Sequence, residues 1–148
     1  MTTIGKHTTI AGRMLIAGLL FPGCLAAQTA AVVAHDGWVR LPAASKSETA
    51  FYVEMENHSP QSRAVVAVSS DVADKAEMHK MMMEGDMMGM MPIDKIDIPA
   101  NGKASLSPNG MHVMLFGLKK KIAAGDKVTV TLKLDDGSLV PVTAMVKK

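Results

Sequence analysis

The sequence predicts a single all-β domain, a sandwich or barrel. Three observations carry that expectation. Beyond residue 27 apolar and polar residues alternate over short stretches, clusters of Gly, Pro, Asn and Asp separate those stretches, and no segment keeps a sustained 3.6-residue period. The chain has 148 residues, 48% of them apolar and 20% charged, which suits one globular domain and excludes a disordered or fibrous chain. There is no internal repeat and no linker dividing two domains.

The elements follow in order. From about Val32 the chain is extended through Trp38-Val-Arg-Leu41, then broken by Pro42 and the loop Ala43–Ser47. Thr49–Glu56 alternates and stops at Asn57-His-Ser-Pro60, whose residue types favour a turn. Arg63–Ser69 is rich in Val and Ala and reads as a strand. Asp74–Met82 leads into a methionine-rich segment with Gly85-Asp86 and Gly89 as hairpin or loop positions, so Met90 is expected on a loop. Ile93–Ile98 ends at Pro99-Ala-Asn-Gly102, and Lys103–Leu106 at Ser107-Pro-Asn-Gly110. Met111–Leu118 is a strongly apolar strand. Lys127–Leu134 and Leu139–Val146, joined by Asp135-Asp-Gly137, form the clearest hairpin.

Residues 1–27 read as a cleaved secretory signal peptide, leaving 28–148 as the mature domain. Lys6, His7 and Arg13 precede the apolar run Met14–Phe21, which is too short for a bilayer span of about 20 residues, and Cys24-Leu-Ala-Ala27 supplies small residues for cleavage. The exported product is expected in a periplasm, without a membrane segment. Acylation of Cys24 is the competing reading, but Phe21-Pro22-Gly23 suits lipoprotein processing poorly. Cys24 is the one cysteine, so the mature chain has neither a disulfide nor a thiolate metal site. The 16 basic and 14 acidic residues become 14 and 14 once Lys6 and Arg13 are removed. Neutrality excludes a broad basic footprint for nucleic acid, and five aromatic residues are too few for a stacking platform.

Fourteen residues are Met, eight of them between Met78 and Met91. On the strand around Asn109–Phe116, His112 and Met114 stand two apart and share a face. Each residue alone has a bland reading, a satisfied histidine or a gap-filling methionine. Together their chemistry is specific: thioether is soft and uncharged, imidazole is borderline, and the pair without thiolate or carboxylate favours Cu(I). Thioethers also escape disulfide formation in an oxidising compartment. A blue-copper electron carrier is excluded, because its site needs a cysteine.

His79, ten residues, Met90, twenty-one residues, His112, one residue, Met114 matches the H-x10-M-x21-H-x-M signature of the periplasmic copper chaperones called PCu(A)C. The chain resembles that family from Val33 to Val146, including Trp38-Val-Arg, Glu77-Met-His, Ile98-Pro-Ala-x-Gly102 and Pro108-x-Gly-x-His-x-Met-Leu-x-Gly-Leu-Lys119. The resemblance implies a cupredoxin-like Greek-key β-barrel. It also implies Cu(I) held by His79, Met90, His112 and Met114, with delivery toward the binuclear copper centre of cytochrome c oxidase, directly or through an intermediary thiol copper protein. The chain departs from the family pattern in its surplus methionines, Met81, Met82, Met83, Met87, Met88 and Met91, so a register shift in the Gly85–Gly89 loop would put Met88 or Met91 on the metal in place of Met90. The surplus reads as an adaptable apolar cover, a transfer path or a weak second copper site.

Lesser candidates are a docking role for Lys119-Lys-Lys121, an auxiliary ligand at His35, and Glu77 or Glu84 as acceptors for a ligand imidazole; His58 reads as a surface residue. The expected function is binding and transfer of copper by a monomer, not catalysis. No Ser-His-Asp order, paired-carboxylate pocket or phosphate loop stands out. The alternatives are a methionine-rich interaction module with incidental metal, and a copper-dependent oxidase.

Overall fold

The structure is a computed structural model that describes residues 31–148; the signal-peptide reading of residues 1–27 and Cys24 lie outside them. Ten strands follow in chain order with no helix among the described residues: β1 (Val32–Arg40), β2 (Glu48–Asn57), β3 (Arg63–Ser70), β4 (Ala73–Glu84), β5 (Met87–Pro92), β6 (Ile96–Ile98), β7 (Lys103–Ser105), β8 (Met111–Leu118), β9 (Lys127–Leu134) and β10 (Leu139–Lys147).

Side-chain alternation explains why these segments are strands. In β9 the residues Val128, Val130, Leu132 and Leu134 are buried while Lys127, Thr129 and Lys133 are exposed, a period of two that buries one face. Its partner β10 repeats the pattern with Val142, Ala144 and Val146 inward. The two pair antiparallel from Leu139↔Lys133 to Met145↔Lys127, as the hairpin expectation requires.

All the strands join one mixed sheet in the order β5-β4-β8-β2-β1-β10-β9-β3-β6, with β7 added to β2. The pairing β1–β10 is parallel and closes the first strand on the last, whereas β1–β2, β2–β8, β4–β8 and β9–β3 are antiparallel. The sheet folds over so that β3 packs against β4 and β6 against β2 and β7. Phe51, Val53 and Met55 of β2, Val113 and Leu115 of β8, Met78 of β4, Ile96 and Ile98 of β6 and the inward faces of β9 and β10 fill the space between. Burying each such side chain contributes about 1.5–3 kcal/mol. The expectation of an all-β fold is met among the described residues.

β2 is buried on both faces over Thr49–Val53. One face belongs to the core; on the other, Trp38 stacks on Tyr52 with ring centroids 4.5 Å apart, and Ala50 lies opposite Met114 of β8. A bulge in β1 places Trp38 there. His35 pairs with Glu54 and Trp38 with Tyr52, so three steps of β1 oppose two of β2 and both side chains stay on one face. Asp36 takes φ +55° in this bulge, and a Cβ on Gly37 would come within 2.6 Å of the Val142 side chain, so glycine is what the packing admits.

Two element readings are corrected. The methionine-rich segment is not a loop over Gly85–Gly89: only Gly85-Asp86 turns, and Met87–Pro92 is a strand paired to β4, so Met90 sits on an edge strand. Gly85 has φ +65°, the positive φ that a two-residue II′ hairpin turn needs at its first central position. Ile93–Ile98 is a strand only over Ile96–Ile98, because the Ile93 amide donates to the Met78 carbonyl and the chain leaves the hairpin there.

Candidate metal centre

Strand register brings the four expected residues to one face of β5-β4-β8. His79 lies directly opposite His112, and Glu77 opposite Met114. Met81, two residues beyond His79, lies opposite Met90. Because neighbours across a sheet share a face, Glu77, His79, Met81, Met90, His112, Met114 and Phe116 all point the same way, and Met78, Val113 and Leu115 point into the core.

The two imidazoles have ring centroids 6.0 Å apart. Tyr52 stands 6.3 Å from His112 and Phe116 6.2 Å from His79, so aromatic rings flank the pair. His112 is only 3% exposed, whereas Met90 is 55% exposed. Met81, Met90, His112 and Met114 line a cleft of about 520 Å³, walled on the far side by Leu41 and Pro42. His79 does not line this cleft; it lies directly opposite His112 on the neighbouring strand.

Hydrogen bonds orient both rings. Nδ1–H of His112 donates to the Gly110 carbonyl at 3.2 Å, which leaves Nε2 with its lone pair. Nε2–H of His79 donates to Oε2 of Glu77 at 3.0 Å. His79 Nδ1 is then the lone-pair nitrogen, and it is buried without a partner among the described residues. A buried, unpaired ring nitrogen beside a second free one is costly unless a ligand satisfies it. Glu77 is in turn held by Lys75, and the Lys75 ammonium together with the His79 ring keeps its carboxyl below the usual carboxylate range. A carboxylate behind an imidazole fixes the tautomer and strengthens the ring as a donor.

Along the sequence Met81 is one of six surplus methionines and Glu77 a lesser candidate. Met81 is half-buried, lines the cleft and stands nearer to His79 along the strand than any other methionine on that face. Its signal was available: a parity of two from His79 along a strand. Met91 pairs with Lys80 and faces the other way, and Met88 pairs with Met83 one rung farther out. Within this register Pro92 lies directly opposite His79, Met90 is the methionine of β5 nearest to His79 on that face, and Met91 needs a slip of one residue to replace it.

The remaining candidates lie apart. His35 bonds to Asp36 at 3.3 Å and approaches Glu56 at 3.3 Å. His35, Asp36 and Glu54 bring one ligand atom each within 4.8 Å, a hard carboxylate-rich set unlike the soft one. It sits beyond the Trp38–Tyr52 stack, two residues farther along β2. His58 is exposed and approaches Glu56 at 3.5 Å; Glu84 is exposed at the hairpin turn. Lys119 approaches Asp74 at 4.0 Å, and Lys120 and Lys121 are exposed.

A family model described as "Putative lipoprotein LpqE-like" matches residues 32–146. The chain is 33% identical over 121 residues to "Putative lipoprotein Lxx21020" of Leifsonia xyli subsp. xyli, covering 81% of this chain and 72% of that protein. Among solved structures, the Cu(I) form of DR1885 from Deinococcus radiodurans aligns with TM-score 0.65 at 33% identity, over 81% of this chain and 80% of that one. The copper-bound PCuAC domain from PmoF2 aligns with TM-score 0.68 at 20% identity, over 79% of this chain and 92% of that one, a likeness of fold.

Proposed function

From the premise that the chain belongs to the LpqE-like family of PCu(A)C copper-chaperone domains, we propose that its cargo is Cu(I), bound by His79, His112, Met114 and Met90 and passed to an acceptor protein. The family is a class of copper carriers and not an enzyme class. The observation that carries the proposal is the pair of adjacent imidazoles with one free lone pair each, His79 Nδ1 buried and unpartnered, beside a cleft lined by thioethers.

Each residue has a part. His79 and His112 supply borderline nitrogen donors held in fixed tautomers. Met114, rooted in a central strand, supplies a sulfur from the floor, and Met90, on the exposed edge strand, one from the rim. Four neutral donors leave the monovalent charge in place, and the Glu77 carboxylate bonded to His79 partly offsets it. Such a site holds Cu(I) less tightly than thiolates do, which suits a carrier. Release proceeds as an acceptor's thiolates displace thioethers one at a time, starting from the exposed Met90. Copper stays monovalent throughout and no electron is transferred.

The acceptor fits the chemistry of a cysteine-bearing copper centre, that of cytochrome c oxidase or an intermediary thiol protein, met outside the cytoplasm after removal of residues 1–27. The lipoprotein names of the matching family and of the Leifsonia relative point to the cell envelope as well. X-ray absorption of the reduced, copper-loaded protein is expected to count two nitrogen and two sulfur neighbours. His79→Ala with His112→Ala is expected to abolish binding; retention of one tight equivalent in that double variant overturns the assignment.

A further inference from the structure

The hairpin β4–β5 carries more thioether than one metal site uses. Six of the ten exposed large apolar residues among the described residues lie here, Met82, Met83, Met87, Met88, Met90 and Met91, and every one is Met where Leu or Val would cover a surface equally well. Register sorts the hairpin's methionines by face. Met81↔Met90 and Met83↔Met88 are facing pairs on the side of His79. Met82, Met87 and Met91, opposite Gly89, Glu84 and Lys80, lie on the other side. Paired Cβ atoms stand about 4.5–5.5 Å apart, and successive rungs on one face about 7 Å apart. A thioether reaches its sulfur across either gap, so the two pairs make a continuous soft-donor ladder from the hairpin turn to the imidazoles.

We propose that Met83 and Met88, which are 63% and 55% exposed, form a second, weaker Cu(I) station that borrows a sulfur from the Met81–Met90 rung and loads or unloads the main site along this ladder. The outer station has thioethers only, so it binds more weakly than a site with imidazoles. The inner rung is shared by both stations, so an ion steps between them by exchanging one thioether for the next. Ligands are neutral at each step and the ion remains Cu(I). The proposal rests on the copper reading above, and the opposite-face methionines provide an internal control of equal composition.

The test is an anaerobic Cu(I) titration followed by methyl resonances of 13C-methionine. In the wild type the first equivalent is expected to shift Met90 and Met114, and a second to shift Met83 and Met88. Met83→Leu with Met88→Leu is expected to lose the second equivalent and keep the first, while Met82→Leu, Met87→Leu and Met91→Leu together keep both. Saturation at one equivalent with silent Met83 and Met88 methyls overturns the ladder, as does equal loss of the second equivalent in the opposite-face variant, which marks a faceless apolar surface. Failure of the copper reading itself shows differently: His79→Ala with His112→Ala then leaves the first equivalent intact, and the Met83 and Met88 methyls still judge the ladder.

Discussion

Glu77 shows how one side chain conditions another. Its carboxylate accepts from His79 and is itself anchored by Lys75, so the imidazole presents Nδ1 in a single tautomer. Removing an outer-shell partner of a ligand histidine costs metal affinity by about 10–100-fold. Glu77→Ala is therefore expected to weaken Cu(I) binding by about that factor in a chelator competition, with Glu77→Gln intermediate because its amide oxygen still accepts. His35 makes a separate prediction. Its hydrogen bond to Asp36, with Glu56 as a second partner, raises its affinity for a proton above that of an ordinary imidazole. A raised value means stabilisation complete at acid pH and lost as pH climbs through the folded-state value. A proton-NMR titration should find His35 titrating above pH 6.5, with Asp36→Asn moving it back down.

At the scale of the element, the hairpin β4–β5 decides which sulfurs reach the imidazoles. Strand parity separates Met81 and Met91, which are close in space and opposite in facing. Met81→Leu is expected to lower Cu(I) affinity or slow release, whereas Met91→Leu leaves both unchanged; equal effects would mean that the register slips in solution. Gly85 protects that register, because its positive φ closes the turn with no loop slack. β5 is also an outer edge of the sheet, exposed along its length. Gly89 within it and Pro92 at its end weaken it as a template for pairing with other chains.

For the whole molecule, the site and the core are two sides of one strand pair. Met78, Val113 and Leu115 bury inward where His79, His112 and Met114 face the cleft, so folding and site assembly are coupled. A ligand that binds only the native state stabilises it by about 2.7 kcal/mol at a hundredfold excess over Kd. Reduced copper should accordingly raise Tm by several degrees in calorimetry, and the His79→Ala, His112→Ala variant should lose that increment. A rise of equal size in the variant would place the stabilising ion elsewhere.

Much of this molecule was legible along the chain, because alternation, turn residues and ligand spacing are local or fixed-interval signals. Lys127–Leu134 announces a half-buried strand and Asp135-Asp-Gly137 its turn, and His79, Met90, His112 and Met114, singled out along the chain, share one face of β5-β4-β8. Pairing was not legible, since it is a relation between segments. The strand nature of Met87–Pro92, the half-buried place of Met81 in the cleft, the bond from His79 to Glu77 and the bulge that delivers Trp38 to Tyr52 all depend on which strand lies beside which. Parity along a strand assigns faces only once the register is known, and register is set where the buried sides of β4 and β8 meet the core.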